Sequence, residues 1–241
     1  MIENLPGYIS IIFILTTFLT VGFLFYAIRQ KTSNTLAAKI LLVIVPLWIL
    51  LQATLAFRGF YLETDAFPPR IFAFAVFPAL LSIILLFIFT RRDFVNQFSL
   101  KILTLLSVIR IPVELVLLWL FQHNQVPQIM TFEGRNPDIL SGISALLVYW
   151  LAFRGGKVNR TILLIWNIFA FSLLVNIVIN AALSVPSPVQ QFAFEQPNRA
   201  VLYFPFIWLP SVVVPIVIFS HLVAFWQLLK SDSKPLSDFV V

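Results

Sequence analysis

Long runs of hydrophobic residues, separated by short polar segments, dominate the chain. Seven such runs predict helices at residues 8–28, 36–57, 71–90, 100–121, 138–153, 161–183 and 201–229. A helix that crosses a bilayer needs roughly 20 residues, within a range of about 17–25. Six of the seven runs reach that length. The pattern predicts an all-α, polytopic membrane bundle of about seven transmembrane helices.

The fifth run, 138–153, is the shortest. A full crossing and a re-entrant segment are the two interpretations of it. The segments between runs are too short for a separate soluble domain, so we expect residues 1–241 to form a single integral membrane domain.

The basic residues alternate between the two sides of the predicted bundle. One side holds eleven of them: Arg29, Lys31, Lys39, Arg91, Arg92, Lys101, Arg154, Lys157, Arg160, Lys230 and Lys234. The other side holds four: Arg58, Arg70, Arg135 and Arg199. Lys and Arg favour the cytoplasmic side. This bias predicts an outside N-terminus and a cytoplasmic C-terminus, and it supports the fifth crossing because the alternation would otherwise break.

The composition agrees with a membrane setting. The chain is 60% hydrophobic and 11% charged, whereas soluble domains carry about 25% charged residues. Its formal charge of +6 comes from residues at helix ends, so we expect no nucleic-acid partner. Cysteine is absent, which excludes disulfides and thiolate chemistry. The first run follows a segment without Lys or Arg, so we interpret it as a retained helix and not as a signal peptide.

The fourth run contains two charged residues, Arg110 and Glu114, one helical turn apart. At ~1.5 Å per residue from Lys101, they lie ~14 Å and ~20 Å into the membrane. Their i, i+4 spacing predicts a direct ion pair. Ionisable residues at this depth are costly and typical of functional sites.

Other polar residues lie within the predicted spans. The sixth run has a stripe with four-residue spacing, and the seventh run has a histidine: Ser172, Asn176, Asn180, Ser184 and His221. We predict that Ser172, Asn176 and His221 share one polar layer with Arg110 and Glu114, in a pocket that opens outward, and that Asn176 and Asn180 orient its ligand. The loops at 122–138 and 184–200 would shape its entrance and supply three acids, Glu133, Asp138 and Glu195.

Each of these features also has a purely structural interpretation. The Arg110–Glu114 pair would then hold helices together, and the Ser/Asn stripe would form hydrogen bonds between helices. His221 would be a buried histidine with satisfied hydrogen bonds, and Asp138 would be the N-cap of the fifth helix.

Known cofactor sites do not fit the residues. Every Lys flanks a run or lies in the tail, which excludes a retinal Schiff base. His123 and His221 lie at different predicted depths, which argues against bis-histidine haem. With two His in the chain, a zinc site would need Glu114 and a second acid. We therefore expect no cofactor and no metal.

Several segments carry a family resemblance: RIPVELVLLWLF (110–121), MTFEGRNPDILSG (130–142), LLIWN (163–167), QQFAFEQPN (190–198) and YFPFIWLP (203–210). From about residue 46 onward, the chain resembles a family of uncharacterised, multi-pass bacterial membrane proteins. The resemblance implies a location in the bacterial inner membrane. It implies no activity and adds no site residues.

The leading functional hypothesis is binding or transport of a small polar or anionic solute. Arg110 would contact the anion, Glu114 would balance charge or carry a proton, and His221 would relay protons. One alternative is a membrane-embedded enzyme acting on a lipid or lipid-linked substrate. Another is a structural or assembly protein with a polar packing core. The bilayer is the partner that the sequence predicts, and the sequence leaves the oligomeric state open.

Overall fold

The computed structural model describes residues 2–31, 35–89, 92–156 and 158–230. Arg91, Lys157 and Lys234, which entered the orientation prediction, lie outside the described residues. The described regular structure is helical, and its α-helices are α1 (Gly7–Lys31), α2 (Leu36–Phe57), α3 (Phe77–Phe89), α4 (Arg92–Asn96), α5 (Leu100–Leu106), α6 (Arg110–Gln122), α7 (Ile139–Phe153), α8 (Arg160–Ser184) and α9 (Val214–Leu229).

Six helical segments are long and apolar enough to span a membrane: Gly7–Ile28, Leu36–Phe57, Phe72–Phe89, Leu100–Gln122, Arg160–Ser184 and Leu209–Leu229. The prediction of a polytopic helical bundle is confirmed. The last span begins later than the sequence indicated, because residues 200–208 form a short 3₁₀ turn and further turns before the helix starts.

The fifth predicted span corresponds to α7, which has 15 residues. Its length is about 22 Å, compared with a hydrocarbon core of roughly 30 Å. Its last residue, Phe153, lies near Lys101, whose Nζ is 5.9 Å from the ring centroid. Asp138, just before its first residue, contacts Arg110. The helix therefore starts at the depth of Arg110 and runs to the end of the bundle where α5 begins.

The connection at 123–138 descends from the end of α6 into the bundle. Thr131 and Asn136 in this connection are fully buried. Gly134 is required there, because a Cβ atom would overlap the carbonyl oxygen of Gln128. Irregular backbone at membrane depth needs protein partners for its polar groups. Asn176 on α8 supplies one by donating to the Arg135 carbonyl at 2.7 Å.

The connection at 185–208 covers the descending segment. The backbone N–H groups of Arg199 and Ala200 both donate to the Gln125 carbonyl at 3.0 Å. Gln196 donates to the Val126 carbonyl at 2.6 Å. We call the end of the bundle formed by these two connections the loop side.

Two prolines explain irregular turns in the third and last spans. Pro78 follows a π-helical turn at Phe72–Val76, and Pro215 follows another at Leu209–Val213. Proline lacks an N–H, so it leaves the carbonyl four residues earlier without its helical donor. Those carbonyls belong to Phe74 and Ser211.

Helix α2 supplies the two missing donors. Gln52 donates to the Phe74 carbonyl at 3.0 Å, and the Trp48 indole donates to the Ser211 carbonyl at 2.9 Å. Trp48 and Gln52 are one turn apart, so they lie on one face of α2. This face joins α2 to both irregular turns and satisfies groups that lipid cannot.

We expect the loop side to face outward, because the basic residues favour the opposite side for the cytoplasm. Since the chain lacks Cys, single introduced cysteines can report which side of the membrane a position faces. A membrane-impermeant maleimide should label Glu133→Cys in intact cells, and it should label Arg154→Cys only after permeabilisation. Both positions are exposed, and the cysteine-free parent is the blank. The reverse labelling pattern would invert the proposed orientation.

Candidate functional site

The site centres on Arg110, the first residue of α6. A 3₁₀ turn at Ser107–Ile109 separates α5 from α6. Pro112 accounts for this turn, because it cannot donate to the Val108 carbonyl and its ring crowds that group. The Arg110 side chain is thereby directed into the bundle, where the residue is 2% exposed.

The guanidinium of Arg110 connects three other helices. Its Nη1 donates to Asp138 Oδ1 at 2.7 Å and to the Ala170 carbonyl on α8 at 2.9 Å. Its Nη2 lies 2.7 Å from His221 Nε2 on α9. Both terminal nitrogens are therefore engaged by protein groups. The hydrogen bonds of Arg110 therefore link α6 to α7, α8 and α9.

The contact with Arg110 defines the state of His221. Guanidinium can only donate hydrogen bonds, so His221 Nε2 accepts and carries no proton. The proton is on Nδ1, which donates to Asn167 Oδ1 at 2.8 Å. Asn167 in turn donates to the Leu163 carbonyl at 2.8 Å. His221 is a neutral, fully bonded histidine in this arrangement, which does not favour its predicted role as a proton relay.

The predicted direct ion pair between Arg110 and Glu114 is wrong. The ion partner of Arg110 is Asp138, and Glu114 Oε1 accepts from the Asn136 side chain at 2.6 Å. The descending segment supplies both of these partners, which i, i+4 spacing on one helix could not indicate. Asp138 lies at the N-cap position of α7 but makes no side-chain capping bond, because its carboxylate faces Arg110 and Ser141.

A close approach of α7 to α6 makes the Arg110–Asp138 contact possible. Gly142 lies one turn after Asp138, and a Cβ atom there would come within 2.8 Å of Ile111 Cγ1 and 3.1 Å of the Ile111 nitrogen. Small residues allow membrane helices to pack this closely. The short aspartate side chain can then reach the guanidinium.

The other predicted residues are placed differently around α8. Asn180 is buried and donates to Asn176, which holds the descending segment. Ser172 is exposed and bonds only its own helix, at the Ile168 carbonyl. A four-residue spacing drifts by about 40° per step around a helix, so the stripe cannot stay on one face. Glu133 and Glu195 are exposed in the loops.

A cavity of about 110 Å³ adjoins the ionic centre. Its walls come from the third, fourth, sixth and seventh predicted spans and from both connections, and almost all of its lining residues are apolar. The polar residues in the lining are Arg110, Glu114, Asp138 and Asn198. Of the predicted polar layer, Arg110 and Glu114 line this largely apolar cavity, whereas Ser172, Asn176 and His221 do not.

Three of the lining residues have a buried atom that makes no hydrogen bond within the described part of the chain: Arg110 Nε, Glu114 Oε2 and Asn198 Oδ1. Ser107 Oγ, Ser184 Oγ and Trp226 Nε1 also lack a partner, but these residues do not line the cavity. Buried polar atoms are nearly always bonded, so the three atoms of the lining are candidate contacts for a bound group. Among the described residues, no cluster of three His, Asp or Glu side chains could hold a metal ion.

Together, these features define a polytopic helical membrane protein with a buried ionic centre beside an apolar cavity. The chain belongs to the family described as Domain of unknown function (DUF8737), whose model matches residues 68–229. That range contains the ionic centre and every cavity-lining residue, whereas α1 and α2 precede it. No curated protein and no solved structure matches the chain. The resemblance to an uncharacterised family is confirmed.

The ion pair can be tested by a double-mutant cycle. Arg110→Met or Asp138→Leu alone should lower the free energy of unfolding by about 3–5 kcal/mol, because each leaves a buried charge unpaired. The double variant should lose clearly less free energy of unfolding than the sum of the losses in the two single variants. Reversible unfolding in mixed micelles measures each value. The matched cycle uses Glu114→Leu with Arg110→Met, and an equal or larger coupling there would contradict the assignment of Asp138.

The close helix approach can be tested at Gly142. Gly142→Ala should lower the free energy of unfolding by about 1–3 kcal/mol, as expected for overpacking. Gly22→Ala is the control, because a Cβ atom at Gly22 has no neighbour within 4 Å. Thermal unfolding followed by tryptophan fluorescence reports both variants. Equal melting temperatures would show that α7 does not need this glycine.

Proposed function

We propose that this membrane protein binds or transports an amphipathic solute, which enters its cavity from the bilayer and places a polar head at Glu114 and Arg110. The observation that carries the proposal is the cavity itself. Its walls are largely apolar, and three of its lining residues have an unpartnered polar atom. An apolar chain would contact the walls, and a polar head would satisfy an unpartnered atom.

The surroundings of the cavity support access from lipid. Its lining includes half-buried residues on three helices, among them Leu80 on α3, Val178 on α8 and Ile218 on α9. Helices α3 and α8 both pack against α9, but in the described chain they make no extensive contact with each other. The lateral gap between these two helices is the route that we propose for entry of the solute from lipid.

The same geometry favours an amphipathic solute over a small anion. Arg110, the predicted anion contact, already has Asp138, Ala170 and His221 on its terminal nitrogens. An anion would have to displace the aspartate or bind at Nε alone. A small hydrophilic solute would leave the apolar walls without a partner, at a cost proportional to the exposed apolar area.

The lateral gap also favours a second candidate, a membrane-embedded enzyme that acts on a lipid. The unpartnered Glu114 Oε2 would then be the general base. The two candidates share the same site and differ in whether the bound molecule leaves unchanged.

A photoactivatable long-chain alcohol in nanodiscs tests the proposed site. The purified protein should crosslink to it at α8 or α9 residues of the cavity wall. Ala182→Phe should reduce labelling by about tenfold, equivalent to 1.4 kcal/mol, because the ring fills the cavity. Mass spectrometry of the peptides locates the label, and analysis of the recovered lipid shows whether the probe was converted.

Ile179→Phe is the matched control for this experiment. Ile179 is 51% exposed on the same helix and does not line the cavity. Its substitution should leave labelling unchanged. Labelling that is insensitive to Ala182→Phe would refute the proposed site. Recovery of a converted probe would favour the enzyme.

A further inference from the structure

We infer that the polar head of the solute is a protonated primary amine, which binds Glu114 in the lining of the cavity. This inference rests on the proposed function, since it assigns the head group of the solute that the cavity would take. It also reverses the earlier expectation of an anionic solute.

The unpartnered oxygen of Glu114 defines what a head must offer. In the carboxylate form Oε2 is an acceptor, and the residue is 1% exposed. A head that satisfies this oxygen must donate a hydrogen bond. A primary ammonium carries three N–H donors and a hydroxyl carries one, whereas a sulfate carries none. The need for a donor therefore favours the ammonium over a sulfate.

Charge gives the same preference. Among the described residues that line the cavity, Arg110 is the single cation, and Glu114 and Asp138 are the two acids. Arg110 and Asp138 form an ion pair at 2.7 Å. His221 behind them is neutral because its Nε2 accepts from Arg110. An ionised Glu114 therefore has no cation of its own in contact, and a bound ammonium would provide one.

The partners of Glu114 leave the required atom available, because Oε1 accepts from Asn136 and Oε2 is unpartnered. Two other lining residues have an unpartnered atom, Asn198 at Oδ1 and Arg110 at Nε. Their bonds to α8 lie at the Ala181 and Ala170 carbonyls, which are about 16 Å apart along the helix. The inference therefore assigns the head to Glu114 alone.

Four probes with the same twelve-carbon chain separate these contributions. They are dodecylamine, dodecyltrimethylammonium, dodecanol and dodecyl sulfate. Each competes with radiolabelled dodecylamine in protein-containing nanodiscs at equal mole fraction in the membrane, and empty nanodiscs give the blank. Dodecylamine should bind about tenfold or more tightly than the other three, since a hydrogen bond to a charged group is stronger than one between neutral groups.

Glu114→Gln tests the residue assignment. Glutamine keeps an oxygen for Asn136 but removes the charge, so amine affinity should fall by about tenfold or more while dodecanol affinity stays within about twofold. Glu133→Gln is the matched control, because it makes the same chemical change at an exposed loop position. It should alter neither affinity. The ranking of the four probes on the unmodified protein tests the inference even if Glu114→Gln is unstable.

The outcomes distinguish this inference from the proposed function. If dodecanol or dodecyl sulfate binds as tightly as the amine, and Ala182→Phe weakens that binding, the cavity binds amphiphiles and the amine assignment is wrong. Equal binding of the trimethylammonium probe would show that charge, and not N–H donation to Glu114, selects the head, and it would overturn the primary-amine assignment. If no probe binds above the blank, both the inference and the proposed function fail.

Discussion

The structure depends on partnering the terminal nitrogens of one buried guanidinium. Arg110 cannot lose its proton at membrane depth, so the fold must surround it with acceptors. They are Asp138 just before α7, the Ala170 carbonyl on α8 and His221 on α9. This requirement fixes the positions of α7, α8 and α9 relative to α6. It also requires an irregular chain segment deep in the bundle, because the aspartate and its neighbour Asn136 belong to the connection before α7.

Irregular backbone inside a membrane creates further polar groups that need partners. The descending segment uses Asn176 on α8 and bonds to the second connection. The two π-helical turns use Gln52 and Trp48 on α2. Side-chain donors on long, regular helices thus compensate for the irregular parts. For this reason α2, which is largely exposed, still makes two polar contacts with irregular turns of other spans.

The ionic centre and the cavity together make the candidate site. If the centre only held helices, its polar atoms would all be expected to have partners, as those of His221 and Asn167 do. Arg110 Nε, Glu114 Oε2 and Asn198 Oδ1 are exceptions, and all three residues line the cavity. Helix packing accounts for the part of the network around His221. The cavity side of the network has bonding capacity left for a ligand.

The sequence by itself determined the membrane class, the six long spans and the presence of Arg110 and Glu114 inside one of them, because these follow from local hydrophobicity and from the position of charged residues within it. It did not identify Asp138 or Asn136 as their partners, nor Asn167 as the partner of His221. Helical periodicity describes neighbours on one helix, whereas these partners come from a descending connection and from another helix. The cavity is also a tertiary feature, since its walls come from residues far apart in the chain. Its shape depends on how α3, α8 and α9 pack, and hydropathy does not specify that packing.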